Sequence, residues 1–343
     1  MGLSAPFDIY AAFNRILNND QISTPLAAIL ALTELIENSD AGTMFELVKA
    51  LNDGAEALQK QASNPISLNA GCELFIAFVT LFPHDSANFT DLKKELIRQG
   101  QNYATEALTY RKKIAELAFG FIKDGSILTH SYSRVVMQTL LLAHKHKRIS
   151  VFVTEARPRG LGIKTAEALT AAGVPSTVIL DSAVAYVMDK VDFVLVGSEA
   201  VVESGGLVNA VGSNQIAIIA RAANKPFYAL AESYKFHRLF PLSQYDLPSH
   251  NSKILSFPRP LLAERVSLIE TPPHDSTQAT NDASTPTSDK PDLVPPRITQ
   301  EQISENNPDV DYTRPDLISL VFSDVGSLTP EGVSQYLVGM FAG

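Results

Sequence analysis

The feature that most constrains this chain is an alternation between residues 149 and 240. Short β-branched runs at Ile149 to Val153, Thr177 to Leu180, Phe193 to Gly197 and Phe227 to Ala231 alternate with segments of helical period at Ile163 to Ala172 and Gln215 to Ala223. That alternation predicts βαβ units and a parallel sheet. Just past the apolar runs stand Glu155-Ala-Arg157-Pro-Arg159-Gly160, Asp181-Ser182, Gly197-Ser198 and Glu232-Ser-Tyr-Lys235. In an open α/β sheet these carboxyl ends face one crevice, where a ligand binds.

Composition bounds the rest. A chain of 343 residues is comfortable for two domains, and 45% apolar with 19% charged residues is ordinary for a soluble protein. The formal net charge of -9 argues against a DNA-binding surface. The single cysteine, Cys72, excludes an internal disulfide and suits a reducing compartment; its place in a helical segment reads as a small buried hydrophobe. None of the seven histidines forms a metal-spaced pair with a nearby carboxylate, so no metal is expected. The start "MGLSAPFDIY" lacks the basic and apolar regions of a signal peptide, and Pro6 stands where the myristoylation pattern wants Ser or Thr. Runs such as Leu26 to Leu32 are too short for a bilayer, so no membrane association and a cytosolic location are expected.

From the start to about residue 118 the periodicity is helical and no strand is legible. Phe7, Tyr10, Ala11, Ile16 and Leu17 share one face, Thr24-Pro25 offers an N-cap and a first-turn proline, and further periodic segments fill Thr43 to Gln61, Asn69 to Phe82 and Phe89 to Phe119. This reads as a helical bundle, with Asp124-Gly125 turning the chain into the sheet. The first strand, Ser126 to Thr129, ends at His130-Ser131, and His130 reads as a buried, hydrogen-bonded histidine. The basic cluster from His144 to Arg148 reads as a solvated helix end favoured by the macrodipole.

Beyond Phe240 prolines multiply, and residues 241 to 262 are expected to wrap the sheet irregularly, with Arg265 to Ile269 as a returning strand. The stretch 271 to 297 has almost nothing to bury and reads as a disordered insertion. Order is expected again at Asn307-Pro308, with Leu317 to Phe322 as a strand and Pro330 to Met340 as a helix capped by Thr329.

The segments "GSILTHSYS", "TEARPRGLG", "ILDSAVAYVM", "VDFVLVGSEAVVESGGLVNAVGSNQIA", "KPFYALAESYKF" and "NPDVDYTRPDLISLVFSDVGSLTP" carry a resemblance. In that order they resemble the family that joins the alpha, beta and delta subunits of eukaryotic translation initiation factor 2B to isomerases of methylthioribose 1-phosphate and ribose 1,5-bisphosphate. "GCELF", "KPFYALAES" and "FHRLFPLSQYDLP" look most like its alpha branch. The implied fold class is α/β: a helical domain over 1–118, then a Rossmann-like parallel-sheet domain over 119–343 with a disordered insertion at about 271–300.

The resemblance also sets out a chemistry. The isomerases move protons with a thiol and a carboxylate facing each other across the sugar. The thiol position holds Ser131 and the carboxylate position Asp181, so the catalytic pair is expected to be degenerate. A serine hydroxyl is far less acidic than a thiol of pKa about 8.5 and shuttles protons poorly without a base. For phosphate the chain keeps Arg157, Arg159, Gly160, Asn209, Gly212 and Lys235, whereas the usual lysine after the asparagine is Ala210. Arg157 is open to two readings, an ion pair with Glu155 or Asp181, or a ligand contact.

What the resemblance implies is a regulatory, non-catalytic subunit of the guanine nucleotide exchange factor for initiation factor 2. It would form a homodimer, bridge the beta, gamma, delta and epsilon subunits, and help to sense the phosphorylated alpha subunit of initiation factor 2. No cofactor is implied, and a sugar phosphate or a nucleotide is the candidate ligand. Two alternatives stand beside it: a working sugar-phosphate isomerase with Asp181 as base, and a ligand-binding sensor that tunes assembly without chemistry.

Overall fold

A computed structural model describes residues 7–62, 65–83, 88–250, 254–256 and 299–341. The chain begins with five helices, α1 (Ile9–Leu17), α2 (Thr24–Asn38), α3 (Met44–Gln61), α4 (Pro65–Leu81) and α5 (Phe89–Phe119). Their starts are set locally. Asp8 and Asn88 accept first-turn amides at α1 and α5, and Thr43 with Glu46 forms a reciprocal capping box at α3. Helix α2 is entered from Ser23, one residue before the expected cap, which places Thr24 and Pro25 inside its first turn. Leu26, Ile29, Leu32, Leu47, Leu51, Leu58 and Leu96 are buried together between the helices. Each such side chain contributes about 1.5–3 kcal/mol when removed from water.

The larger sheet has seven strands in the order β11-β10-β7-β4-β1-β2-β3. They are β1 (Gly125–His130), β2 (Ile149–Thr154), β3 (Ser176–Ile179), β4 (Phe193–Val196), β7 (Phe227–Leu230), β10 (Leu320–Ser323) and β11 (Gly326–Leu328). All pair in parallel except β11, which returns antiparallel on β10. One face is covered by α5, α6 (Arg134–His144) and α7 (Leu161–Ala171), where Ile114, Val136, Leu140 and Leu169 meet Ile127 and Val151. The other carries α8 (Val184–Val187), α9 (Ser213–Ala222) and the last helix (Pro330–Phe341), with Val184, Ile216, Val333 and Leu337 against Val194 and Val196. The expected α/β class and the four strands first read from the sequence are therefore present. Thr329 caps the last helix by accepting the Gly332 amide at 3.2 Å, as expected.

Four further strands escape the alternation pattern. They are β5 (Ala200–Val202), β6 (Leu207–Ala210), β8 (Phe236–His237) and β9 (Val310–Thr313), which form a second sheet in the order β8-β5-β6-β9. Two to four residues each, they are too short to show a period. The basic cluster also differs from expectation. Lys147 reaches across to the end of α5, donating to Phe119 O at 2.7 Å and to Ile122 O, with its ammonium 4.0 Å from the Phe119 ring centre. It caps another helix's carbonyls instead of lying free in solvent.

The residues up to His250 and from Pro308 onward form one compact unit. A separate unit holds residues 251–307, of which the described part includes α10 (Gln300–Asn306), entered through a capping box of Thr299 and Gln302. The last helix is accordingly α11. The strand expected at Arg265 to Ile269 and the insertion over 271–297 lie outside the described residues. Among those described, no helix is long and apolar enough to cross a membrane.

Gly71 sets how closely α4 approaches α2, because a Cβ there would lie 2.4 Å from the Pro25 carbonyl oxygen. Gly71→Ala is expected to destabilise the protein by about 1–3 kcal/mol, the usual range for overpacking. A lowered denaturant midpoint with unchanged slope checks this.

Candidate functional site

Strand order locates the site before any side chain does. From β1 the chain winds one way through β2 and β3, and from β4 the other way through β7 and β10, so the topological switch falls between β1 and β4. At their carboxyl ends the backbones approach closely, and a Cβ on Gly197 would lie 2.3 Å from Ser133 Oγ. A cleft of about 670 Å³ opens there, walled by Tyr132, Ser133 and Arg134 after β1, Ser198 and Glu199 after β4, Asp20, Gln21 and Ser23 before α2, and Thr24 and Pro25 in its first turn. That volume lies within the range of small-molecule sites.

The cleft is strongly charged. Arg111, Arg134, Lys164 and Lys235 line it together with the carboxylate residues Asp20, Glu199 and Glu232. Glu232 is 2% exposed and lies between two cations, with Arg111 Nε at 3.0 Å from one oxygen and Lys235 Nζ at 3.0 Å from the other. Burial pushes its carboxyl up, and the charges of Lys235 and Arg111 overturn that and hold it at about 2. Arg111 also donates to Gln21 O at 2.9 Å, and Lys235 to Ser198 O at 2.8 Å. Arg134 is held by backbone carbonyls, those of Asp20 and of Ile22, the latter at 3.1 Å. Lys164 lies with its ammonium 4.4 Å from the Tyr132 ring centre. The cleft thus offers basic side chains to an anion beside the carboxylates of Asp20 and Glu199.

Of the residues singled out from sequence, Asn209 and Lys235 line this cleft. Asn209 donates to Ser213 Oγ at 3.0 Å. The others belong to a second constellation at the ends of β1, β2 and β3. Ser131 is buried with φ 61°, and its carbonyl accepts Thr165 Oγ1 at 2.7 Å. Ala156, after β2, is also left-handed, with φ 60°. Such backbone costs about 1–3 kcal/mol per residue and clusters at functional sites. Asp181 uses both carboxylate oxygens on this turn, accepting the amides of Ala156 at 2.9 Å and Arg157 at 2.8 Å.

The Arg157 side chain turns to Glu155 at 3.3 Å and is 61% exposed, so its ion pair is with Glu155 and only its amide reaches Asp181. Arg159 lies 3.7 Å from Asp309 Oδ1. Gly160 has φ 65° at the entry to α7, and its amide donates to Ala156 O at 2.8 Å. Gly212, φ 107°, passes against His130, where a Cβ would sit 3.0 Å from the ring. The Gly212 and Asn214 amides at the start of α9 donate to Asp311 Oδ2 at 2.7 and 3.0 Å. A carboxylate from β9 thus occupies the helix N-terminus where a phosphate would bind. Burial outweighs the opposing pull of those two amides and leaves Asp311 raised to about 7.

His130 is buried as expected, its Nδ1 2.6 Å from Thr154 Oγ1 and its Nε2 2.9 Å from Val211 O. Burial lowers its pKa against the opposing pull of Asp181. Cys72 is buried in α4, and burial pushes its thiol up to about 12, unsuited to proton transfer at neutral pH. Among the described residues no group of His, Cys, Asp and Glu is placed to hold a metal ion.

Arg111, Arg134, Lys164 and Glu199 were missing from the sequence-based site. Arg111 had a usable signal, because it falls in the helical phase of the buried residues Ala104, Ala107, Ile114 and Ala118 while its neighbours Lys112 and Lys113 do not. Removing it with Arg111→Met leaves Glu232 with one partner and is expected to lower stability by about 2–5 kcal/mol. Because the Glu232 pKa is depressed on folding, its stabilisation is present above pH 4.5 and is lost as pH falls toward about 2. Denaturant unfolding between pH 7 and 3 should show this loss in the parent and a smaller one in Glu232→Gln.

The sequence matches the initiation factor 2 subunit family over residues 19–330. It is 37% identical to the translation initiation factor eIF2B subunit alpha of Dictyostelium discoideum, over 99% of both chains. A ribose 1,5-bisphosphate isomerase of Archaeoglobus fulgidus is 29% identical over 75% of this chain and 71% of its own length. The fold is shared with the tetrameric eIF2B-beta2-delta2 complex from C. thermophilum, at a TM-score of 0.69 and 18% identity, covering 97% of this chain and 96% of that one. Across almost its whole length, the chain belongs to the initiation factor 2 subunit family.

Proposed function

We propose that this chain is a regulatory, non-catalytic subunit of the guanine nucleotide exchange factor for translation initiation factor 2, working in the cytosol. The observation that carries this reading is the end-to-end similarity to an alpha subunit of that factor, 37% identical over 99% of both chains. In this reading the protein forms a homodimer, bridges the beta, gamma, delta and epsilon subunits, and helps to sense the phosphorylated alpha subunit of initiation factor 2. Phosphorylation acts by changing which assembly the partner prefers. Phe240, Leu242 and Tyr245, at 60%, 82% and 71% exposed, supply apolar contact material for such assembly within six residues of one another.

The chemistry of the site supports the absence of turnover. Ser131 stands where an isomerase carries its thiol, and both oxygens of Asp181 already accept backbone amides. A second reading rests on the four cations of the cleft: it holds a phosphorylated small molecule, a sugar phosphate or a nucleotide, without converting it, and so tunes assembly. Asn209, Lys235 and Arg134 would face that ligand, while Arg157, Arg159, Gly160 and Gly212 shape the adjoining turns.

Native mass spectrometry of the chain, alone and mixed with the other four subunits, tests the proposal. The expected result is a homodimer that joins two copies of the partner assembly. A homo-oligomer that ignores those subunits and converts ribose 1,5-bisphosphate would establish an isomerase instead.

A further inference from the structure

A second cavity, of about 590 Å³, lies among the helices, and its lining shares no residue with the cleft. One wall is α4, through Phe75, Phe78 and Leu81; the opposite wall is α5, through Asn102, Tyr103 and Glu106; Met340 of α11 closes one side. The sequence explains why the space is apolar. Helix α4 carries a single charged residue, Glu73, so the side it turns away from α2 is as hydrophobic as the side it buries. Phe78 packs its ring 6.1 Å from that of Phe75 and 5.5 Å from that of Phe82, the latter edge-on, and Leu81 reaches solvent at the margin. This aromatic wall accepts a flat ring by edge or offset contact.

The polar groups select the charge. Residues 99, 102, 103 and 106 form one stripe of α5 that offers amide, hydroxyl and carboxylate groups, and among the described residues no Lys, Arg or His lines the cavity. The carboxylate, Glu106, is exposed and holds Lys113 at 3.4 Å. An anionic ligand would meet the Glu106 carboxylate, whose partner Lys113 is already engaged with it and does not line the cavity, the reverse of the cleft with its four basic side chains. Volume, aromatic wall and polar stripe together match a drug-sized ligand.

We propose that this cavity is a binding site for a small aromatic amphiphile, neutral or carrying one positive charge, with its ring against Phe75, Phe78 and Phe82 and its polar end along α5. An occupant touches α4, α5 and α11 at once and so ties the terminal helix to the helical layer.

The test uses the full chain and two fluorescent probes, neutral N-phenyl-1-naphthylamine and anionic 1-anilinonaphthalene-8-sulfonate. The neutral probe is expected to bind saturably, one per chain, and the anionic probe roughly tenfold more weakly. Ala77→Phe, which fills the cavity from α4, is expected to weaken the neutral probe about tenfold while leaving ribose phosphate binding unchanged. Glu106→Lys should bring the anionic probe to parity. Non-saturable binding, displacement of the neutral probe by ribose phosphate, or unaltered affinity in a folded Ala77→Phe protein would overturn the proposal. If Ala77→Phe does not fold, an unchanged ratio of the two affinities in Glu106→Lys overturns it.

Discussion

The structure turns on one buried carboxylate. Glu232, after β7, is enclosed between Arg111 of α5 and Lys235 three residues on, and Arg111 in turn grips the Gln21 carbonyl ahead of α2. The contact joins the helical layer to the carboxyl edge of the sheet at the mouth of the cleft. Neighbouring Tyr234 is buried in the helical core and stacks on Tyr110, ring centres 6.2 Å apart, so the same turn anchors by packing as well as by charge. A buried ion pair of this kind adds little over a hydrophobic substitute, but it fixes geometry because each partner alone is severely penalised. Here it fixes where the cleft's cations point.

The functional reading follows from how the edge of the sheet is used. The switch between β1 and β4 provides the crevice, and the turns after β1 and β2 keep left-handed backbone at Ser131 and Ala156. The carboxylates beside those turns are tied to the backbone: Asp181 directs both of its oxygens, and Asp311 its Oδ2, at main-chain amides. Carboxylates that satisfy turns and helix ends are structural groups. These turns thereby form a fixed surface at the edge of the sheet, which suits a protein whose proposed work is assembly.

Much of this was legible in the sequence, and the exceptions have physical reasons. The long strands and helices declared themselves by period, and the last helix by its cap Thr329. The second sheet did not, because β5, β6, β8 and β9 each span only two to four residues, and β8 and β9 join β5 and β6 from distant parts of the chain. At the site, motifs led to Asn209 and Lys235, and they also led to Arg157, whose side chain pairs locally with Glu155. Part of the cleft wall comes from Arg111 and from Asp20, Gln21, Ser23, Thr24 and Pro25, and no local pattern says that these segments meet the ends of β1 and β4. Lys147 looked like any cation at a helix end; that its target is the end of α5 is a tertiary fact.

The cap on α9 has a consequence for the order in which the protein takes shape. Asp311 and Gly212, which meet there, stand 99 residues apart in sequence. The segment that carries Asp311 also supplies β9 to the smaller sheet and β10 to the larger one. A ribosome that has delivered everything up to His250 has therefore made two sheets with open edges, at β6 and β7, and a helix whose first amides lack an acceptor. Open edges of this kind invite pairing with other chains. The smaller sheet and the helix cap are completed when residues 310–313 emerge, and the larger sheet when β10 and β11 follow over residues 320–328, so both edges close late in synthesis.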